Sequence, residues 1–513
     1  MSSSISAPAF YGLNTQESGV TLQEGFALQA DNCVIDKYGR LGSRKGWQTL
    51  STGKDGSANG NNGVNLTGVS NFKDVVGADT LLSFSVNKFY KGLTNLVTLT
   101  PSTGDTIAAG NWQTATLNNH HYFFQRGYLP LVYTNDGGAD TFQSIVTHSG
   151  RAGTPPSAHT VLAAYGRLWA ADTATNKNTV SFTDVLDGTA WSGGTSGNIN
   201  ISSVLTQGMD EIVALGAHNG FLVIFCKNNI IIYGDGNNFQ AGMTTSSLTL
   251  VEVIEGVGCI ARDSVQNTGE DILFLSNTGI RSLSRTIQEK SQPMRDISKN
   301  VRDDVIQAIN AENINLIKST YSPTNAFYLI TFPTSQQTFV FDTRTPLEDG
   351  SFRATIWPSV SPKGFLSIDS TLYFAEANGI AEYKGYQDDG SKYEMAYYSR
   401  FFDLGMANVS KIVKKLSATT VGATGQTFAL KIGYDYSPVY FSYTFTLDTG
   451  TVFEYGITEY GIGKYSGSVL IDEQKASTQG AGDIIQIGFT TDINGAPMSL
   501  QKISLYAKQG KVL

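Results

Sequence analysis

Short apolar runs separated by polar or glycine-containing turns recur along most of the chain. Leu81–Val86 is followed by Phe89–Tyr90, His121–Gln125 by Tyr128–Tyr133, and Leu168–Ala171 by Val180–Thr183. Phe221–Cys226 then pairs with Ile230–Tyr233, Ile272–Leu275 with Ile280–Leu283, Phe327–Phe332 with Thr338–Phe341, and Leu372–Ala375 with Ile380–Tyr383. Each pair reads as a β-hairpin whose turn, such as Asn378–Gly379 or Thr278–Gly279, tolerates positive φ. Seven units starting about 40–55 residues apart match the spacing of four-stranded propeller blades. A single blade leaves both faces of its sheet uncovered, and radial packing buries them. The pattern therefore predicts a β-propeller of six or seven blades, with a pair of β-sandwiches as the competing architecture.

One segment departs from the period of two. Ile297, Val301, Val305 and Ile309 are spaced four apart, which predicts an amphipathic helical insertion near 295–312 that covers a sheet edge. Residues 52–63 (TGKDGSANGNNG) read as a polar, glycine-rich loop. From about residue 398 the strands lengthen and alternate: Val413–Thr419, Thr427–Tyr434, Val439–Leu447, Val469–Asp472, Ile484–Thr490 and Ser499–Tyr506. These predict a C-terminal antiparallel β-sandwich or platform over 398–513, after a propeller over 61–397. Residues 1–60 would be an N-terminal arm and hairpin joining the platform or the first blade.

Composition agrees with an all-β chain. Among 513 residues there are 54 glycines, 24 tyrosines and 27 phenylalanines but 13 prolines, as turn-rich, half-buried sheets require. The net charge is −8 and the acidic residues are not gathered in a tail, which argues against a duplex-binding protein built on a basic stripe. The stretch Met1–Gly19 lacks the apolar core of a secretion signal, and no apolar run anywhere is long enough to span a membrane. Cys33, Cys226 and Cys259 are odd in number and far apart, so no disulfide framework is expected and the compartment reads as reducing.

Catalytic and metal signatures do not emerge. The histidines are His120, His121, His148, His159 and His218, none at zinc-binding spacing, and His120 and His121 point to opposite sides of a strand. Gly256–Cys259 leads into no helix, and Asp235–Asn238 lacks the spaced acids of a calcium loop, so both read as turns. Glu252, Glu255, Asp263 and Asp271 are the remaining candidates for the paired carboxylates of a glycosidase. No catalytic, cofactor-binding or metal residue is assigned, and a non-enzyme is expected.

The densest basic and aromatic stretch is Lys37–Trp47. Within it Arg40, Arg44, Lys45 and Trp47 read first as a hairpin whose cations lie over an aromatic ring; the alternative is an assembly interface docking an acidic partner surface or DNA phosphate, because interface cores are enriched in Arg and Trp.

These same residues carry a resemblance. NCVIDKYGRLGSRKGW at 32–47, YGRLWAAD at 165–172 and VSFTDVLDGTAW at 180–191 resemble the tail nozzle, or DNA-stabilisation, proteins of short-tailed bacteriophages. So do 211–236, 258–285 and the ending SLQKISLYAK at 499–508. The resemblance implies a virion tail subunit assembled in the host cytoplasm, forming a homo-oligomeric ring of six copies below the portal and adaptor. Tail fibres or tailspikes would be neighbours, and double-stranded DNA would pass through the channel without sequence-specific binding. Six copies would carry about −48, so an acidic lumen that repels phosphate is expected. The alternative is a receptor-binding or polysaccharide-degrading propeller of a phage tail.

Overall fold

The computed structural model describes residues 2–51, 53–54, 64–102, 107, 110–136, 139–205, 209–236, 243–288, 296–406, 408–423, 425–447 and 471–510. Of the glycine-rich loop only Gly53–Lys54 is among them, as a short strand parallel to Asn95–Leu99.

Each hairpin anticipated from the apolar runs forms the second and third strands of one radial sheet. Antiparallel meanders occupy 68–99, 113–144, 158–200 and 212–255 (blades 1–4), and 318–358 and 364–383 (blades 6 and 7). Between blades 4 and 6 lies a reduced sheet of three strands, Gln266–Asn267, Ile272–Ser276 and Gly279–Ser282, called blade 5 below. The β-propeller thus has six blades of four or more strands, with this smaller sheet completing the circle. The most continuous apolar runs fall in middle strands because both of their faces are covered. Phe221–Cys226 and Phe327–Phe332, for example, are buried at nearly every position.

One hydrophobic cluster fills each junction around the circle. Phe84, Phe89, Trp112 and Phe123 pack edge-on between blades 1 and 2. Phe225 meets Phe274 at 5.1 Å between blades 4 and 5. Trp357, Tyr383 and Phe374 join blades 6 and 7. Offset and T-shaped aromatic pairs of this kind add about 0.5–1.5 kcal/mol each beyond the area they bury.

The circle closes with a strand from the other end of the chain. Trp47–Thr49 is the outer strand of blade 7, antiparallel to Gly379–Tyr383. Gly46 enters this seam where no side chain fits: a Cβ there would lie 1.9 Å from the Gln387 carbonyl oxygen.

The helical expectation is met by a 3-10 turn, Lys299–Val301, continuing into an α-helix, Arg302–Ala311. Ile297, Val301 and Val305 are fully buried and Ile309 packs against the same cluster, which also holds Leu273 and Leu275 of the reduced blade. The helix supplies apolar cover beside a sheet that lacks a fourth strand.

The platform is a two-layer sandwich, antiparallel except around Gly12–Leu13, which runs parallel to both of its neighbours. One layer has seven strands, with Met498–Gln509 between Ser2–Ser6 and Lys411–Gly422, and Ile471–Ser477 beyond; Cys33–Ile35, Leu41–Ser43 and Ala481–Gly482 complete it. The other layer continues the sheet of blade 6 through Gly12–Leu13 and Phe26–Asp31 to Tyr393–Phe402, Ile485–Ile493, Thr427–Tyr434 and Phe441–Thr446. Leu416, Ile503 and Leu505 meet Leu430, Ile487 and Phe489 between the layers. The segment that ends at Thr49 is therefore divided between the platform and the last blade, and strand Tyr393–Phe402 spans the boundary expected at residue 397.

Candidate functional site

In an antiparallel blade that starts at the axis, the turn between strands 2 and 3 and the connection to the next blade lie at the same end. Polar residues from several such segments converge there. Arg262 and Asp263 lie in the turn before the first strand of blade 5, and Lys318 begins the first strand of blade 6. Asp263 accepts from Arg262 Nε and Nη2, both at 2.8 Å, and from Lys318 Nζ. Arg262 also donates to the carbonyl of His159 in blade 3 (2.6 Å) and to Oδ1 of Asn111 ahead of blade 2 (2.9 Å). Lys318 donates to that same Asn111 oxygen at 2.9 Å. One ion cluster thus ties four blades together across the axis. Burial opposes the charge on Asp263, but Arg262 and Lys318 outweigh it and hold the carboxyl well below the usual range.

Beside this cluster is a cavity of about 460 Å3 lined by Arg126, Asp172, Lys177, Glu211, Lys227 and Arg262. Arg126 pairs with Asp172, and Lys177 with Glu211 at 3.1 Å. Asp172 is buried with φ +65°, and burial raises its carboxyl above the ordinary value despite Arg126. The opposite charges lining the cavity are largely matched with one another.

The carboxylates considered for glycoside cleavage do not converge. Glu252 and Glu255 sit on the outer strand of blade 4, whereas Asp263 belongs to the axial cluster. Asp271 accepts from the backbone and hydroxyl of Ser284, both at 2.9 Å. Asp235 ends a strand of blade 4, and residues 237–238 of that turn lie outside the described residues. Gly258 is pressed against the Cys226 and Lys227 backbone and leads into a 3-10 turn. All three cysteines are free and buried, and burial pushes the Cys259 thiol up to about 11.

The candidate interface is corrected at its two arginines. Arg40 and Arg44 are 3% and 2% exposed, so neither is available to a partner surface. Arg40 is held by Asp36 at 2.7 Å and lies over the Tyr38 ring. Arg44 forks onto Asp388 at 2.7 and 2.6 Å, donates to Asn32 Oδ1 at 2.7 Å, and stacks 3.9 Å from the Tyr393 ring. Trp47 is partly buried between blades 6 and 7, and the Lys45 backbone donates to the Tyr383 hydroxyl at 3.0 Å. The stretch pins the ring seam to the platform. Composition could not separate that role from a docking patch, since a buried seam and an interface core favour the same residue types.

Sequence reasoning weighed Asp263 only as an acid and missed Arg262 and Lys318. The available signal was positional, a polar or charged residue just ahead of or at the start of several innermost strands: Asn111, Glu211, Arg262 and Lys318.

Two buried histidines sit where blades meet. His121 lies between Thr116 Oγ1 (2.7 Å) and Ser70 Oγ (3.0 Å), bridging blades 1 and 2, and burial lowers its pKa to about 3. His159 is lowered to about 2, first by burial and then by Arg262. Both stay neutral when folded but titrate near 6.5 when unfolded, so their contribution is complete above about pH 6.5 and falls as pH drops towards the folded values. Each should cost about 1.4 kcal/mol per pH unit in that window. Urea midpoints measured at pH 7 and pH 5 should differ accordingly, and His121→Gln should shrink the difference. Equal midpoints at both pH values would contradict the assignment.

No protein-family model and no curated protein matches the chain. Among solved structures it is similar to the computationally designed Ika8 protein, with 10% identity and a TM-score of 0.35, over 63% of this chain and 96% of that one. PorZ, a bacterial surface component of the type-IX secretion system of Porphyromonas gingivalis, is similar at 10% identity and a TM-score of 0.36. That match covers 65% of this chain and 37% of PorZ. Hsv2 of Kluyvelomyces marxianus gives 10% identity and a TM-score of 0.31, over 65% and 92% of the two chains. The β-propeller itself follows from the strand pairing and the closed circle of inter-blade cores.

Proposed function

We propose that the chain is a structural, non-catalytic subunit of a short-tailed phage tail, assembling as a nozzle ring around the DNA exit channel below the portal and adaptor. The observation that carries this reading is the axial ion cluster. Asp263, Arg262, Lys318 and Asn111 satisfy one another across the propeller axis, as a frame element requires and a reactive cleft does not. A conduit for duplex DNA would then lie between copies, around the axis of the ring rather than along the axis of one propeller. The dispersal of Glu252, Glu255, Asp263 and Asp271 supports the non-catalytic half of the proposal. The resemblance of 32–47, 165–172, 180–191, 211–236, 258–285 and 499–508 to nozzle proteins supports the other half.

Native mass spectrometry and negative-stain averages of the purified chain, alone and with its portal and adaptor, test the reading. A six-membered ring with a central hole is expected. A species that stays monomeric under every condition, or turnover of a polysaccharide, would overturn it.

A further inference from the structure

The charge of this protein is segregated. Residues 47–390, the propeller with its closing strand, carry 21 basic and 30 acidic side chains, a net of −9. The remainder, which builds the platform, carries 15 basic and 14 acidic. Five of the platform's basic groups stand on the outer face of the seven-stranded layer.

Strand register places them. Along Met498–Gln509, Ile503, Leu505 and Ala507 point into the sandwich, so Lys502, Tyr506 and Lys508 point out and are exposed. Across the sheet Lys415 lies opposite Tyr506, and Thr419 opposite Lys502. On the next strand Ser477, Lys475 and Glu473 stand opposite Lys415, Ser417 and Thr419. The bulge between Val413 and Lys415 also leaves Lys414 exposed. Among the described residues, five lysines therefore share one flat face with a single acid. That acid, Glu473, is paired with Lys475 at 2.9 Å, and its carboxyl is held below the usual value first by that bond and then by Lys415 and Lys502. Ser2, Ser4 and Ser6 extend the face with small hydroxyls, and Tyr506, 44% exposed under the Lys415 ammonium, is its aromatic centre.

We infer that this lysine face docks onto an acidic surface of the propeller of a second copy of the chain. The inference rests on the ring reading and names the surface that would build it. Three considerations select a second copy. The complementary charge is present on the same polypeptide. A two-fold contact would set lysines against lysines, so the face must meet a different surface, and such head-to-tail contacts generate rings. Strands of up to 12 residues across four neighbours offer about 600–800 Å2, close to one side of a standard interface. Duplex DNA is the poorer fit, since a flat sheet face enters neither groove and Glu473 sits among the cations.

The test uses the full-length protein and the triple variant Lys415→Glu, Lys475→Glu, Lys502→Glu, with the corresponding three glutamines as a milder second variant. Sedimentation velocity from 0.05 to 0.5 M NaCl reads assembly, and thermal unfolding of each monomer reports folding. The native chain should assemble and weaken with salt. The glutamate variant should weaken association at least 100-fold, and the glutamine variant less. Native-like assembly by both variants would overturn the inference and leave the ring intact. Duplex DNA binding that the variants lose while assembly persists would overturn it too. A native chain that never assembles would instead sink the ring reading.

Discussion

Replacing Asp263 by alanine is expected to destabilise the protein by about 3 kcal/mol, the lower end of the range for removing one partner of a buried ion pair. Asp263 is the one carboxylate shared by Arg262 and Lys318, whose side chains are 2% and 13% exposed. Without it two cations face each other across the axis with Asn111 Oδ1 and the His159 carbonyl as acceptors, and neither oxygen carries a full charge. Because Asp263 is itself 20% exposed, water offsets part of the loss. The sign is checked by a second change. Adding Lys318→Met to Asp263→Ala removes the stranded ammonium and should recover a substantial part of the lost stability, whereas two independent sites would simply add. Urea unfolding followed by near-UV circular dichroism measures both. The carboxyl is depressed in the folded state, so its contribution is complete above the unfolded value near 3.9 and is lost in stronger acid. The alanine variant should accordingly be less acid-sensitive below pH 4 than the native chain. A loss below about 1 kcal/mol would show that the cluster does not hold the blades.

What could be read from the residues was the part of each blade that is buried on both sides. The runs at 221–226 and 230–233 stand out because neighbouring blades cover both faces, and every one of the seven hairpins found this way occupies the second and third strands of a sheet. First and fourth strands such as Gln113–Leu117 and Gly197–Asn200 are polar at half or more of their positions and blend into the turns. Pairings distant in sequence were also hidden. Ser2–Ser6 reads as a polar tail, yet it pairs along its whole length with Lys502–Tyr506. Trp47–Thr49 meets Gly379–Tyr383 from the opposite end of the propeller sequence, and so short a strand carries too little pattern to announce it. The axial cluster was invisible for the same reason: Asn111, His159, Arg262 and Lys318 lie just ahead of or at the start of four innermost strands and are neighbours only because the ring closes.

Arg44→Ala should be the most damaging single change at the ring seam, costing about 4 kcal/mol. The guanidinium makes a two-pronged bond to Asp388 beyond the Gly379–Tyr383 strand of blade 7, and its Nε reaches Asn32 in the platform. It also lies flat against Tyr393, whose hydroxyl donates to the Arg44 carbonyl. One side chain therefore fixes the turn that closes the propeller to the sandwich that holds Ser2–Ser6 and Met498–Gln509. Its loss strands Asp388 and the Asn32 oxygen and opens a hole beside the Trp357 and Tyr393 rings. Arg44→Lys keeps the charge but can reproduce neither the fork nor the stacking, so it should still cost about 2 kcal/mol. Because the damage is at the seam, the closing strand Trp47–Thr49 should peel away before the blades unfold, with proteolysis near Gly53–Lys54 accelerating ahead of any change in the thermal midpoint of the remainder. A lysine variant as stable and as protease-resistant as the native chain would show that charge alone acts here, and the seam would then be held by Asp389, which bonds the Thr49 backbone at 3.0 Å, and by the packing of Trp47.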